Sequence, residues 1–221
     1  FCYVGLRHLQ EASKRSNIPV DLEWLPFLLN PSMPNGEGQD LEEHLVGKYG
    51  PSAAQSIHDP NSSVKRMGRE MGFEFNMDRR MVNTKRAHAV MEYLKESTNG
   101  NGVANLFMED LYKSYFEDAR NINDPTVLLD ILLKSKKKYG GVNVEEIKKF
   151  LLEDDDDDSG KIEYEITNLD REIKTKYGVR GVPFFMIHPS KSSKSSTESA
   201  GGTDKEDDRP VAFSGAYPVE V

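Results

Sequence analysis

Apolar and polar positions divide the chain into three stretches of different rhythm. Behind Cys2, the residues Val4, Leu6, Leu9 and Ala12 recur among charged neighbours up to Ser16, a spacing that predicts an amphipathic helix. Asn17, Ile18 and Pro19 interrupt it. Val20 to Phe27 then alternates Val20, Leu22 and Trp24 with Asp21 and Glu23 before running apolar, and this period of two predicts a strand. From Asn30 to about Glu153 the pattern is almost wholly helical, with predicted helices over 41–47, 53–71, 84–95, 104–119, 125–138 and 144–152. Loops rich in Pro, Gly and Asn at 31–38 and 97–102 separate them. The last stretch predicts a helix over 169–177, a turn at 178–181, and two short strands, 184–187 and 211–214, that pair antiparallel. Residues 190–208 between those strands are dense in Ser, Lys, Gly, Glu and Asp. So little apolar surface cannot offset the entropy of ordering, so a disordered loop is expected there.

Composition narrows the function classes. A chain of 221 residues with 37% hydrophobic side chains can bury one substantial core, consistent with a single domain carrying an insertion. The net charge of −8 argues against nucleic acid or anionic lipid as partners, since both need a concentrated basic surface. Arg79, Arg80, Lys85 and Arg86, like the run 134–138, form the best basic patches and read as solvated helix faces. No stretch approaches the roughly 18 apolar residues of a membrane span, and no charged-then-apolar signal segment is present. Compartment stays open, with the cytoplasm slightly favoured. Leu106, Phe107, Leu111, Tyr115 and Phe116 follow the helical period and are expected in the core.

Metal chemistry finds little support. His8, His44, His58, His88 and His188 show no ligand spacing. In the acidic run, Asp155, Asp157, Ser159, Gly160 and Ile162 fall where a calcium-binding EF-hand loop wants them. The closing position is Ile166, with Glu165 one residue early, so the bidentate carboxylate is missing and a solvated acidic loop is expected.

The chemistry worth weighing is that of sulfur. Cys2, the one cysteine, lies at the start of a predicted helix. Helix N-termini favour negative charge and lower a cysteine pKa from about 8.5 to roughly 3.5–7.5. In a Cys-x-x-Cys pair the first cysteine attacks, and the second, one turn into the helix, closes the ring and releases the partner. Phe1, Cys2, Tyr3, Val4 and Gly5 resemble the second half of the motif Cys-Pro-Trp/Phe-Cys-Tyr-x-Gly of the FrnE-like branch of the DsbA family. Residues 178–185, running Gly-Val-Arg-Gly-Val-Pro-Phe-Phe, resemble that family's Gly-Val-x-Gly-Val-Pro-x-Phe loop. Asn83 and Thr84 with Ala87 and His88, and residues 213–216 with Pro218, resemble two further signatures.

The resemblance implies an α/β, thioredoxin-like fold with a large all-helical insertion, its first strand and last helix absent from this chain. Residues 1–29 and 159–221 would form the thioredoxin-like domain, and 30–158 the helical insertion. The implied activity is thiol:disulfide exchange on protein or small-molecule disulfides, with no bound cofactor required. Cys2 would be the resolving cysteine, with the nucleophile two residues before Phe1, so that the chain alone cannot run the dithiol cycle. Pro183 would be a cis-proline that turns the Val182 backbone toward substrate, with Asn83 and His88 as further polar contacts. A gap beside strand 184–187 is then expected in the sheet. Two alternatives share the scaffold: a glutathione-linked enzyme of the kappa-class transferase or hydroxychromene-carboxylate isomerase type, which uses serine, and a non-catalytic peptide-binding module. Cys2 and the run Gly215, Ala216, Tyr217 and Pro218, which departs from the Gly-x-Asp-Arg pattern, lean against the first. Oligomeric state is not legible.

Overall fold

The computed structural model describes residues 1–98, 100–134, 138, 140, 142–156, 160–189 and 209–217, with 153–156 described by their backbone alone. The loop 190–208, Asp157 and Ser159 of the acidic run, most of the basic run 134–138, and Pro218 lie outside the described residues.

Helix α1 (Cys2–Ser16) stops where its sequence tells it to. Asn17 takes the left-handed conformation at φ 55° and returns its N–H to the Ser13 carbonyl, a role asparagine tolerates, and Pro19 prevents continuation. Next come α2 (Leu41–Tyr49), α3 (Ser52–His58), α4 (Ser63–Glu70), α5 (Lys85–Ser97), α6 (Asn101–Phe116), α7 (Pro125–Lys134), α8 (Val144–Asp156) and α9 (Lys161–Tyr177). Asp40 caps α2 by accepting the Glu43 N–H at 3.0 Å, with Glu42 and Glu43 favourably placed in the first turn.

The helix expected over 53–71 is two helices. Asp59 is extended at φ −70°, ψ 116°, as steric conflict with the following Pro60 ring requires, so α3 ends and α4 starts afresh at Ser63. Helix α9 begins eight residues before the expected 169, and its first two turns bury Ile162 and Ile166 on the same face as Asp170 and Ile173.

Strands β1 (Phe184–Ile187) and β2 (Val211–Ser214) pair antiparallel in the register Phe184 to Ser214 and Phe185 to Phe213, with the last two rings stacked at 5.1 Å. Among the described residues, β2 is the one neighbour of β1. The strand expected over 20–27 is not formed. Its side chains do alternate, Leu22, Trp24, Pro26 and Leu28 turning inward and Asp21, Glu23 and Leu25 outward, but among the described residues no strand lies beside it to complete a ladder. Side chains tether its backbone instead. Lys95 Nζ donates to the Trp24 carbonyl at 3.0 Å, and Asp170 accepts the Leu28 N–H at 2.8 Å.

Helices α5 to α9 enclose the main core, where Leu94, Phe107, Leu128, Leu132, Ile147 and Leu151 are fully buried. Burying each of these side chains is worth roughly 1.5–3 kcal/mol. The basic residues read as solvated are partly interior. Lys85 and Arg86 are 6% and 8% exposed, Lys85 pairing with Glu163 at 3.1 Å and Arg86 donating to the Asn123 carbonyl at 3.1 Å. Their partners lie far along the chain, which is why a local reading leaves them in solvent. Among the described residues no helix is long and apolar enough to cross a membrane.

Candidate functional site

A second, smaller cluster surrounds the start of α1. Tyr3 and Val4 are fully buried with Phe73 and Phe75, and Val64, Met67, Met71, Met77, Tyr112, Phe116 and Ala216 pack around them half-exposed. The Tyr3 ring lies 4.2 Å from Phe73 and 5.9 Å from Phe116. Its hydroxyl donates to Glu117 Oε1 at 2.6 Å and accepts from Arg7 Nη2 at 2.9 Å, while Gln10 Nε2 donates to Glu109 Oε1 at 2.8 Å. These bonds tie α1 along α6. Burial, with the bond to Glu117 adding to it, pushes the Tyr3 hydroxyl up to about 12.

Gly5 shows what α1 faces on its other side. A Cβ placed there would lie 3.0 Å from Phe185 Cζ and 3.4 Å from Pro183 Cγ, so the helix backbone rests directly on the loop leading into β1. Cys2 stands three residues before Gly5, on the same side of the helix. Two positions some 180 residues apart in sequence thus lie at one corner of the fold. The Val182–Pro183 peptide is cis, and the Pro183 carbonyl accepts the Gly215 N–H at 2.9 Å, joining the loop to the end of β2. Val182 is half-exposed, and its own backbone N–H and C=O have no hydrogen-bond partner among the described residues.

Cys2 itself is a free, half-buried thiol. Burial pushes it up from the ordinary cysteine value, and the Tyr112 hydroxyl acts in the opposite direction. Tyr112 is absent from the sequence reading. It stands one position off the Leu111 and Tyr115 stripe, and no periodicity marks it for a polar contact.

Asn83 and His88 are placed elsewhere in the frame. Asn83 is 2% exposed, its amide donating to the Met33 carbonyl at 2.8 Å and to Asn35 Oδ1 at 3.1 Å, and its oxygen accepting the Lys85 N–H at 2.9 Å. The side chain therefore joins the loop before α2 to the first turn of α5. His88 faces the Phe27 backbone and Asp170; burial pushes it down to about 4, against the raising effects of Asp170 and of its hydrogen bond with Phe27. Such a ring is neutral at physiological pH. Among the described residues no group of three or more His, Cys, Asp or Glu side chains could hold a metal ion.

Comparison with known proteins places this geometry. The family model for the DSBA-like thioredoxin domain matches residues 1–207. A solved structure, described as a probable DsbA oxidoreductase from Streptomyces coelicolor, superposes with a TM-score of 0.71 at 23% identity, over 98% of this chain and 79% of the other. No curated protein matches the chain in sequence. A family match over this length, with α1 seated against the cis-proline loop, settles the relationship: the chain belongs to the DsbA-like thioredoxin-domain family.

Proposed function

We propose that the protein is a thiol:disulfide oxidoreductase of the FrnE-like branch, acting on protein or small-molecule disulfides through a Cys-x-x-Cys pair whose second member is Cys2. The observation that supports this most is the seat of α1: Gly5, one turn beyond Cys2, packs on Pro183 and Phe185. The thiol and the Val182 backbone, whose hydrogen-bonding groups are unpaired among the described residues, therefore share one corner, where a substrate chain can pair while its sulfur is exchanged. In the forward cycle the first cysteine's thiolate attacks a substrate disulfide, forming a mixed disulfide and expelling one substrate thiolate, which takes a proton from water. Cys2, as thiolate, then attacks the enzyme sulfur of that mixed disulfide. The Cys–Cys bond forms, the second substrate thiolate leaves, and two electrons have passed from the enzyme to the substrate. Run backward, the same steps oxidise a dithiol.

In this reading Cys2 is the resolving residue, since its burial suits a thiol that waits for an intramolecular attack rather than one that opens the reaction. Asn83 and His88 hold the frame, Asn83 through Met33, Asn35 and Lys85 and His88 against Phe27 and Asp170. The reading is tested by insulin-disulfide reduction with the protein expressed from its complete coding sequence, compared with Cys2→Ser. Turnover is expected to fall to background in the variant, with a mixed disulfide accumulating. Equal rates would remove Cys2 from the mechanism.

A further inference from the structure

Beyond β2 the chain turns back onto the cis-proline loop. The Gly215 N–H donates to the Pro183 carbonyl at 2.9 Å, and the Ser214 hydroxyl reaches the same carbonyl at 3.5 Å. Gly215 stands at φ 111°, which residues with a side chain rarely adopt, and the turn it makes sends its two followers to different places. Ala216 packs, half-exposed, into the cluster around Tyr3 and Val4, directly behind Cys2. Tyr217 is left outside, 64% exposed. An exposed aromatic ring is ordinary by itself. Tyr164 on α9 is one, and among the described residues it meets no other ring. Tyr217 is held: its ring meets Phe213 at 6.0 Å with the planes 62° apart, and it folds over Gly215 so closely that a Cβ there would lie 3.5 Å from its Cε2. Phe213 stacks on Phe185, and Phe185 is the ring on which Gly5 rests. Three rings thus lead from beneath α1 to the surface, the first two half-buried and the third open.

We propose that Tyr217 is a specificity-determining residue of the thiol site, its ring receiving an aromatic side chain that flanks the cysteine of an extended polypeptide substrate. What becomes of that cysteine rests on the exchange reading above; what sits beside it is set by Tyr217. An extended chain paired with the Val182 backbone advances about 3.3 Å per residue. A side chain one or two positions from the cysteine therefore comes over the turn 214–217, which is hydrogen-bonded to Pro183, the residue next to Val182. Phe213 braces one side of the Tyr217 ring and most of the remainder faces solvent. An aromatic side chain laid on it continues the series Phe185, Phe213 and Tyr217, gaining ring contact against a platform that is already fixed. An alanine in the same place leaves the ring wet. The site then selects among polypeptide disulfides by what stands beside the sulfur.

The test uses the reduced protein expressed from its complete coding sequence and two short peptides, identical except for Phe or Ala beside a single cysteine that carries 2-nitro-5-thiobenzoate in disulfide linkage. Attack of an enzyme thiolate on the peptide sulfur forms the mixed disulfide and expels the coloured aryl thiolate, so absorbance reads the rate. At low peptide concentration the Phe peptide is expected to react about fivefold faster than the Ala peptide. In Tyr217→Ala the two rates converge on that of the Ala peptide, and Tyr217→Phe keeps the preference. The symmetric aryl disulfide without a peptide is expected to react equally with all three proteins, which separates recognition from the reactivity of the thiol. A preference that survives Tyr217→Ala, or none in the unsubstituted protein, would overturn the proposal. Insulin-disulfide turnover is read separately: its absence from the unsubstituted protein would end the exchange function, while the ratio of the two peptide rates alone decides on Tyr217.

Discussion

The corner around Cys2 and the joint around His88 both desolvate a titratable side chain, and they do so with different materials. At the joint, the buried carboxylate and its neighbours are answered at close range. Asp170, 4% exposed, accepts the Leu28 N–H and a Lys174 ammonium at 2.8 Å each, Lys174 also donates to the Leu28 carbonyl at 3.0 Å, and His88 bonds the Phe27 backbone. Around it lie fully buried aliphatic and aromatic side chains of α5, α6 and α8, among them Leu94, Phe107 and Ile147. At the corner, the packing is aromatic and sulfur-rich. Met67, Met71 and Met77 are only half-buried, and the Val182 backbone is unpaired among the described residues. Methionine adapts its shape where branched aliphatics do not. One region is closed and spends its polar groups on holding a strand-like segment in place; the other brings together a half-buried thiol, a methionine rim and hydrogen-bonding groups that are unpaired among the described residues.

That contrast breaks most visibly in the closed region. Leu94→Ala removes a fully buried side chain from the main core and is expected to cost about 3 kcal/mol, read by urea denaturation, while leaving the pH profile of Cys2 alkylation in place. A shift of that profile would show that the two regions are mechanically one.

The joint also carries the next largest effect, through pH. His88 has a folded-state pKa of about 4 against an ordinary value of 6.5, so between these values the unfolded chain binds the proton more readily than the folded one. The stabilisation is fully present above about pH 6.5, is lost as pH falls toward 4, and changes no further below that. Its full size is about 3 kcal/mol. Denaturation midpoints at pH 7, 5.5 and 4.5 measure it, and His88→Leu is expected to flatten that part of the profile. An equally steep profile in the variant would assign the acid sensitivity to other groups.

How much of this the sequence could disclose depended on whether the cause was local. The pairing of 184–187 with 211–214 is legible, because a short apolar run behind a Val-Pro is a local signal, and the structure has it. The break at Pro60 was equally legible, and apolar spacing wrongly outweighed it. The segment 20–27 shows the limit of periodicity: its alternation reports correctly which side chains turn inward, but a strand also needs a neighbour, which periodicity cannot supply. Lys85, Arg86 and Asp170 are buried because of Glu163, the Asn123 carbonyl and the Leu28 N–H, partners 37 to 142 residues distant. Charge written along the chain carries no trace of them. The meeting of Cys2's helix with Pro183 entered through family resemblance and not through any spacing. Tyr112 entered through neither.

The smallest effect returns to the corner and asks whether its polar tie is separable from its chemistry. Tyr3 Oη lies between Glu117 and Arg7, so Tyr3→Phe removes one hydrogen bond to a charged acceptor and one from a charged donor while the stacked ring remains. Glu117 keeps Lys113 at 3.1 Å and Arg7 keeps Gln10 at 3.3 Å, so neither charge is stranded, and the expected loss is about 1 kcal/mol. If the tie only fastens α1 to α6, the alkylation profile of Cys2 keeps its midpoint. If the midpoint moves, the seat of α1 against α6 governs the thiol as well as the fold, because Tyr3 directly follows Cys2 in that helix.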